Sequence, residues 1–363
     1  MPSPLTRGLR STLRWTWRLV AALLIVPATL WGALALFYQL PGPSAVTVMV
    51  MAGWGVIGLG AVLATLHVPI LRRRIVLTAW LLALTVLMIW WQSIAPRNDR
   101  DWADDVSRLP HAVIDRDLVT IENVRNFDWL TPERYTERWE TRTYDLSELA
   151  STDLIVSYWM GPAIAHTLVS FGFDDGRQLV FSVEIRRQRD EAFSAIGGFF
   201  KQFEMALVAA DEHDIVRTRS NVRAEEVYLY RVALPEGAAR TLFLAYLDKA
   251  DELRDTPAFY NTLTSNCTTL VFDMVKNIIP GLPVDYRLLL SGYLPGYLYD
   301  LKALDTSRPL VELKSRGHIN SRALAADNGG HAFPGFSAWI RKGIPAPDGH
   351  LLGVTIPDDQ RHD

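Results

Sequence analysis

From Leu19 through Leu71 no Asp, Glu, Lys or Arg interrupts the chain, and no acid occurs before Asp99. A helix packed in a soluble core keeps a polar stripe toward water. These runs have none, so they read as membrane spans. Pro41-Gly-Pro-Ser44 divides the stretch into residues 20–40 and 45–70, and a third run, 75–94, follows Arg72-Arg73-Arg74. Each is long enough for the roughly 20 residues that cross a bilayer. Ala33-Leu-Ala35 resembles a signal-peptidase site, but the apolar run continues past it, which predicts an uncleaved anchor.

Beyond Asn98 the period changes. Two β-like runs, 161–173 and 178–186, flank Asp174-Asp-Gly-Arg177, a strong hairpin signal. In the second run Val180, Ser182 and Glu184 share one face, while Leu179, Phe181, Val183 and Ile185 share the other. Further strands are expected at 214–219 and 227–232, and helices at 195–208 and 239–253. A late helix is expected after Asn266, its N-cap, with Val271, Met274, Val275 and Ile278 on one stripe and Pro280 as its stop. Strands between helices suggest an α+β domain. The expected organisation is a membrane anchor over 1–97, a linker and domain edge over 98–149, and an exported domain over 150–363.

Charge fixes an expected orientation. Arg7, Arg10, Arg14 and Arg18 precede the first span, and the Arg72–Arg74 cluster lies two crossings later, on the same side. Basic residues near span ends stay cytoplasmic, so the amino terminus is expected inside and everything after Trp90-Trp91 outside, in the periplasm of a bacterial inner membrane. The eight arginines of the first 97 residues leave 29 basic residues against all 40 acids beyond them, a net of −11. That balance argues against a nucleic-acid groove.

One cysteine, Cys267, is present in 363 residues, which excludes an intrachain disulfide. At the first turn of a helix a thiol meets unpaired N–H groups and the positive end of the dipole, both of which favour thiolate. The plain alternative is a small buried hydrophobe. A thiol nucleophile needs a base, and His166 lies where a Gly-Pro turn enters a strand whose hairpin partner offers Ser182 and Glu184 to orient the ring. Glu184 can equally pair with Arg186 or Arg217. The Cys267 amide, with Asn266, Tyr260 or Asn261, could form an oxyanion hole; the last two could also be turn and packing residues. Asp211-Glu-His-Asp214 has metal-compatible side chains, but four consecutive residues cannot all point one way. His318 and His331 sit in a Gly- and Pro-rich tail without a strand context. No His-Glu-x-x-His, phosphate loop or Gly-x-Ser-x-Gly occurs, so no metal or cofactor is expected.

At these residues the chain resembles the Lnb N-terminal periplasmic domain, a cysteine-dependent family named after a bacterial lipoprotein N-acyltransferase. The matching stretches are Asn98-Asp-Arg-Asp-Trp102, Val119-Thr-Ile-Glu-Asn-Val-Arg-Asn-Phe127, Arg142-Thr-Tyr-Asp-Leu146, Ala165-His-Thr167, Ser182-Val-Glu-Ile-Arg186, Asp211-Glu212 and Tyr260-Asn-Thr-Leu-Thr-Ser-Asn-Cys-Thr-Thr269. The resemblance implies a permuted papain-like (NlpC/P60-like) fold, histidine strand before cysteine helix, with Cys267 as nucleophile, His166 as base and Glu184 as a motif residue. The family's namesake carries this domain before its membrane segment, whereas here three spans come first. The expected activity is a thiol acyltransferase or acyl hydrolase acting on a phospholipid or lipoprotein. The rivals are a Cys-His peptidase on peptidoglycan peptides and a noncatalytic membrane-tethered binding module.

Overall fold

A computed structural model describes residues 4–40, 42, 44–67, 70–328 and 335–347, which fall into two compact units. Among the described residues, the first unit lies within 4–96 and 194–202, the second within 97–193 and 203–347.

The first unit holds α1 (Pro4–Gln39), α2 (Ala45–His67) and α3 (Ile70–Ser93). Within them Trp15–Gln39, Ala45–Leu66 and Arg72–Ser93 are long and apolar enough to cross a membrane. Two differences from the sequence expectation concern ends: α1 starts well before its apolar run, and α3 takes in the arginine triplet expected in a loop. The helices meet through small residues. A Cβ at Gly58 would strike the Thr29 side chain, and one at Gly32 would come within 2.6 Å of Leu87 and Trp54, so at both positions a neighbouring helix's side chain packs directly on the glycine backbone. Thr29 also accepts indole N–H bonds, from Trp54 at its carbonyl and from Trp80 at its hydroxyl. The segment 194–202 joins this unit. Phe200 stacks on Tyr38, and the Lys201 ammonium donates to the carbonyls of Trp91 and Ile94.

The second unit is mixed α and β. Its strands are β1 (His111–Asp115), β2 (Leu118–Arg125), β3 (Asp128–Thr131), β4 (Arg134–Thr136), β5 (Trp139–Asp145), β6 (Leu149–Met160), β7 (Ile164–Phe173), β8 (Gln178–Arg186), β9 (Glu204–Ala210) and β10 (Glu226–Val232). Eight of them form one sheet in the order β1-β2-β9-β8-β7-β6-β10, with β5 paired to β2; β3 and β4 form a separate hairpin. Residues 98–149, expected as linker and edge, therefore contribute β1, β2 and β5 to the main sheet. The helices are α4 (Glu212–Arg217), α5 (Ala238–Asp255), α6 (Thr269–Ile278), α7 (Leu294–Asp300), α8 (Leu310–Gly317), α9 (Asn320–Asn328) and α10 (Phe336–Ile340).

The β7–β8 hairpin forms as the sequence predicts, as do β10, α5 and the helix after Cys267. Two expectations are corrected. The run 195–208, expected as a helix, is irregular up to β9, a strand buried along its whole length. Its unbroken Met-Ala-Leu-Val-Ala-Ala lies between β2 and β8, where both faces are covered, so no polar alternation marks it as a strand. The run 214–219, expected as a strand, is α4 followed by a π-helical turn (Thr218–Val222), capped by the Asp211 carboxylate accepting from the His213 N–H.

One sheet face packs on α5 through Phe171, Phe181, Phe243 and Tyr246, with Phe181 and Tyr246 stacked at 4.8 Å. The opposite face carries buried charge. Arg341 bonds Asp153 and Glu212, and Glu212 also accepts from Ser170 on β7. Both carboxylates are fully buried. Removing the cation strands the buried Glu212 charge and leaves Asp153 with Arg231 as its remaining cation, a loss of about 3–5 kcal/mol. Arg341→Met is expected to lower the unfolding free energy of the full chain by that amount in urea titrations followed by tryptophan fluorescence; a change below about 1 kcal/mol contradicts this role.

Candidate functional site

Two adjacent residues of β7 point to opposite faces of the sheet. Ser170 and His166 share the face that carries Glu212 and the β8 polar groups, while Thr167 and Phe171 share the α5 face. β7 and β8 stay paired only as far as Leu168 and Ser182. Past that point β8 stays paired with β9, and the side chain of Thr167, beyond the end of the β7–β8 pairing, meets the loop that carries Cys267. Thr167 Oγ1 donates to the Cys267 carbonyl at 3.1 Å, and the Tyr260 N–H donates to the Phe203 carbonyl.

The loop is shaped by its own asparagines. Asn266 Oδ1 accepts from the N–H groups of Thr268 and Thr269, and its amide donates to the Thr262 carbonyl. Asn261 Oδ1 accepts from the N–H groups of Leu263 and Thr264, an Asx turn. Both side chains, expected as oxyanion donors or supports, thus fix the approach to α6; Thr268, not Asn266, holds the N-cap position, while Asn266 accepts from the N–H groups of Thr268 and Thr269 from just before it. Cys267 stands just before α6 and is buried, 6 % exposed, rather than at an open helix end. Its neighbours Leu270, Val271, Met274, Val275 and Ile278 pack the helix on the core.

The geometry fixes the histidine's protonation. His166 Nε2 lies 2.8 Å from Ser182 Oγ and 3.2 Å from Glu184 Oε1. The Ser182 hydroxyl donates to the same Glu184 oxygen at 2.7 Å, so its lone pairs accept and Nε2 must carry the hydrogen. Nδ1 is left for the thiol. Arg219 completes the chain, donating from its guanidinium to Glu184 Oε1 at 2.7 Å. Glu184 pairs with Arg219, not with Arg186 or Arg217: Arg186 bonds the carbonyls of Val106 and Ser107, and Arg217 pairs with Asp327.

Electrostatics follow from this chain of contacts. Burial would raise the Cys267 pKa, but the His166 charge and hydrogen bonding, with help from Thr167, lower it to about 7. Burial would lower that of His166, but Glu184 and Cys267 raise it to about 9. Burial would likewise raise Glu184; His166 and Arg219 hold it well below the usual carboxylate range. Thiolate and imidazolium therefore coexist between about pH 7 and 9. Burial and the charge of Cys267 raise the Tyr260 phenol, which keeps its proton beside the Cys267 backbone amide.

An apolar cavity of about 100 Å³ adjoins the site. Its walls include Val169, Val271, Phe272, Leu288, Leu294 and Leu298, and it reaches Thr167 and Thr268, the residues that touch Cys267. Thr167 bonds the Cys267 carbonyl and Thr268 Oγ1 lies 4.0 Å from its sulfur.

Residues 135–292 match the model of the Lnb N-terminal periplasmic domain. That segment belongs to this family. No curated protein and no solved structure matches the chain. The matched span takes in every group of the chain from Arg219 to Cys267, while β1 and β2 complete the main sheet from outside it. The resembling stretches Asn98–Trp102 and Val119–Phe127 also lie outside it. Three apolar helices and this periplasmic domain make the protein an inner-membrane protein with a periplasmic domain.

Two partners escaped sequence reading. Arg219 sits in a π-helical turn where a strand was expected, and Thr167 differs in no local pattern from other strand threonines. Of the remaining candidates, Asp211 bonds Arg142, Glu212 bonds Arg341, and Asp214 accepts from Arg125, the Trp129 indole and the Phe127 N–H. These acids anchor the fold, and no metal cluster occurs among the described residues. His318 pairs with Glu226, and His331 lies outside the described residues.

Because Cys267 is the only thiol, alkylation reads its ionisation alone. Iodoacetamide reactivity is expected to rise through about pH 7, and in His166→Ala to rise only near the free-thiol range of about 8.5. A midpoint unmoved by His166→Ala contradicts the pairing.

Proposed function

We propose that the exported domain is a thiol acyltransferase, or acyl hydrolase, working on a lipid or lipoprotein ester. The observation that carries this reading is the Arg219–Glu184–Ser182–His166–Cys267 chain set beside an apolar cavity. The cavity favours a fatty acyl group over a peptidoglycan peptide, because a polar peptide would lose water there without hydrogen-bond partners. The histidine strand preceding the cysteine helix supports a permuted papain-like arrangement.

In this mechanism the Cys267 thiolate attacks the ester carbonyl, forming a C–S bond. The oxygen developing negative charge lies toward the Cys267 amide and the Tyr260 hydroxyl. His166, as imidazolium, gives its Nδ1 proton to the departing alkoxide as the C–O bond breaks. An amine or water then attacks the thioester, His166 takes the nucleophile's proton, and the thiolate leaves. Glu184 and Arg219 touch no substrate. They hold the ring in the tautomer that presents Nδ1 to sulfur, and the Glu184 charge steadies the imidazolium.

In full-length protein reconstituted with phospholipid, Cys267→Ser is expected to cut acyl release and transfer by roughly three orders of magnitude. Thin-layer chromatography of labelled lipid reads the result, and transfer at the parent rate overturns the proposal. Glu184→Gln is expected to lower kcat by roughly 10²-fold or more through loss of the oriented ring, with KM nearly unchanged. An unaltered kcat contradicts the role given to Glu184.

A further inference from the structure

Residues 282–301 form a strap with two apolar faces. Leu282, Leu288, Leu294 and Tyr297 turn inward onto the cavity beside Cys267. Val284, Tyr286, Leu289 and Tyr293 turn outward, and Val284 and Tyr286 are 80 % and 64 % exposed. The β6–β7 turn is bonded to the strap: the Tyr158 hydroxyl donates to the Gly292 carbonyl, and the Gly292 N–H donates to the Ala163 carbonyl. A Cβ at Gly292 would collide with the Pro162 carbonyl, so the two segments touch backbone to backbone. The end of β6 leading into that turn adds exposed Trp159 and Met160. Six large apolar or aromatic side chains thus stand open to solvent on two joined segments, and β7 runs from this turn directly to His166.

We propose that this surface docks on the lipid of the bilayer that the three helices span, with the strap separating membrane from acyl cavity. Two observations favour lipid as the occupant. The first is the tether: only three residues separate Ser93, the end of α3, from Arg97, whose N–H is already bonded to Glu204. Four chain steps reach roughly 14 Å, so the domain meets lipid at high effective concentration before any soluble partner. The second is chemistry. Trp159, Tyr286 and Tyr293 each pair an apolar ring with a polar tip, the side chains suited to a membrane–water boundary, and Leu289, Val284 and Met160 are suited to the acyl layer. Arg287, the strap's cation, is held by Asp285 and Asp300, so the outward face carries no unpaired charge into lipid. The docking deepens the acyl-transfer reading, which supplies the purpose of the cavity, but its own test does not depend on turnover.

The test uses the full chain with Cys267→Ser, reconstituted in phosphatidylcholine–phosphatidylglycerol vesicles and labelled with a nitrobenzoxadiazole dye at Leu289→Cys or, as an exposed control on β1, at Val113→Cys. Doxyl-labelled phosphatidylcholine is expected to quench the dye at position 289 severalfold more than at 113. Equal quenching overturns the proposal, as does a dye at 289 that is shielded from aqueous iodide yet untouched by doxyl lipid, the sign of a protein partner or second copy. In protein that keeps Cys267, Tyr286→Asp with Leu289→Asp is expected to slow release of acyl groups from vesicle lipid about tenfold while sparing a soluble short-chain thioester. Equal loss on both substrates makes the strap a structural element and overturns the docking. Parent protein inactive on every acyl donor would strike the catalytic reading alone, and the quenching result would stand.

Discussion

A buried carboxylate that must stay charged is the constraint on which the site turns. Glu184 is removed from most of the solvent, and burial alone would protonate it. Arg219 and His166 keep it ionised, and the Ser182 hydroxyl spends its hydrogen on the same oxygen. From that single charge the rest follows in order. Nε2 of His166 must donate, Nδ1 must face sulfur, and the imidazolium is favoured strongly enough to draw the thiol toward thiolate despite its burial.

The sheet supplies the room for this arrangement by ending one strand pairing early. β7 and β8 part at Leu168 and Ser182, and Thr167, just beyond that point, donates to the Cys267 carbonyl. The opposite end of the same face is closed by Arg341, Asp153 and Glu212, and Asp214 is held by Arg125 and Trp129. Buried charge is thus used twice on one sheet, once to fix the fold and once to polarise a thiol. The difference lies in what completes each cluster: arginine alone closes the structural ones, whereas a titratable histidine closes the one beside Cys267.

Much of this was legible in the chain. Unbroken apolar runs announced the spans, the Asp-Gly turn announced the hairpin, and the period-two alternation put Ser182 and Glu184 on the face that His166 shares. The misses have physical causes. β9 is covered on both faces and so lacks the alternation that marks a half-exposed strand. The run 214–219 looks β-like by composition, yet the Asp211 cap and the burial of Ile215 and Val216 make it helical. Arg219 was invisible as a partner because its reach depends on that helix ending in a π-helical turn. The apolar cavity brings together residues 130 or more positions apart, Thr152 and Leu154 against Leu288 and Leu298, which no local pattern connects.

A thiol poised by a buried ion pair beside an apolar cavity, in a chain with three membrane-spanning helices, makes a covalent prediction. Full-length protein in phospholipid vesicles, given no acyl acceptor and quenched in acid, can be digested and the Cys267 peptide weighed. A hydroxylamine-sensitive acyl group is expected on Cys267, absent after His166→Ala. A Cys267 peptide that stays unmodified while labelled acyl chains are being released would contradict it.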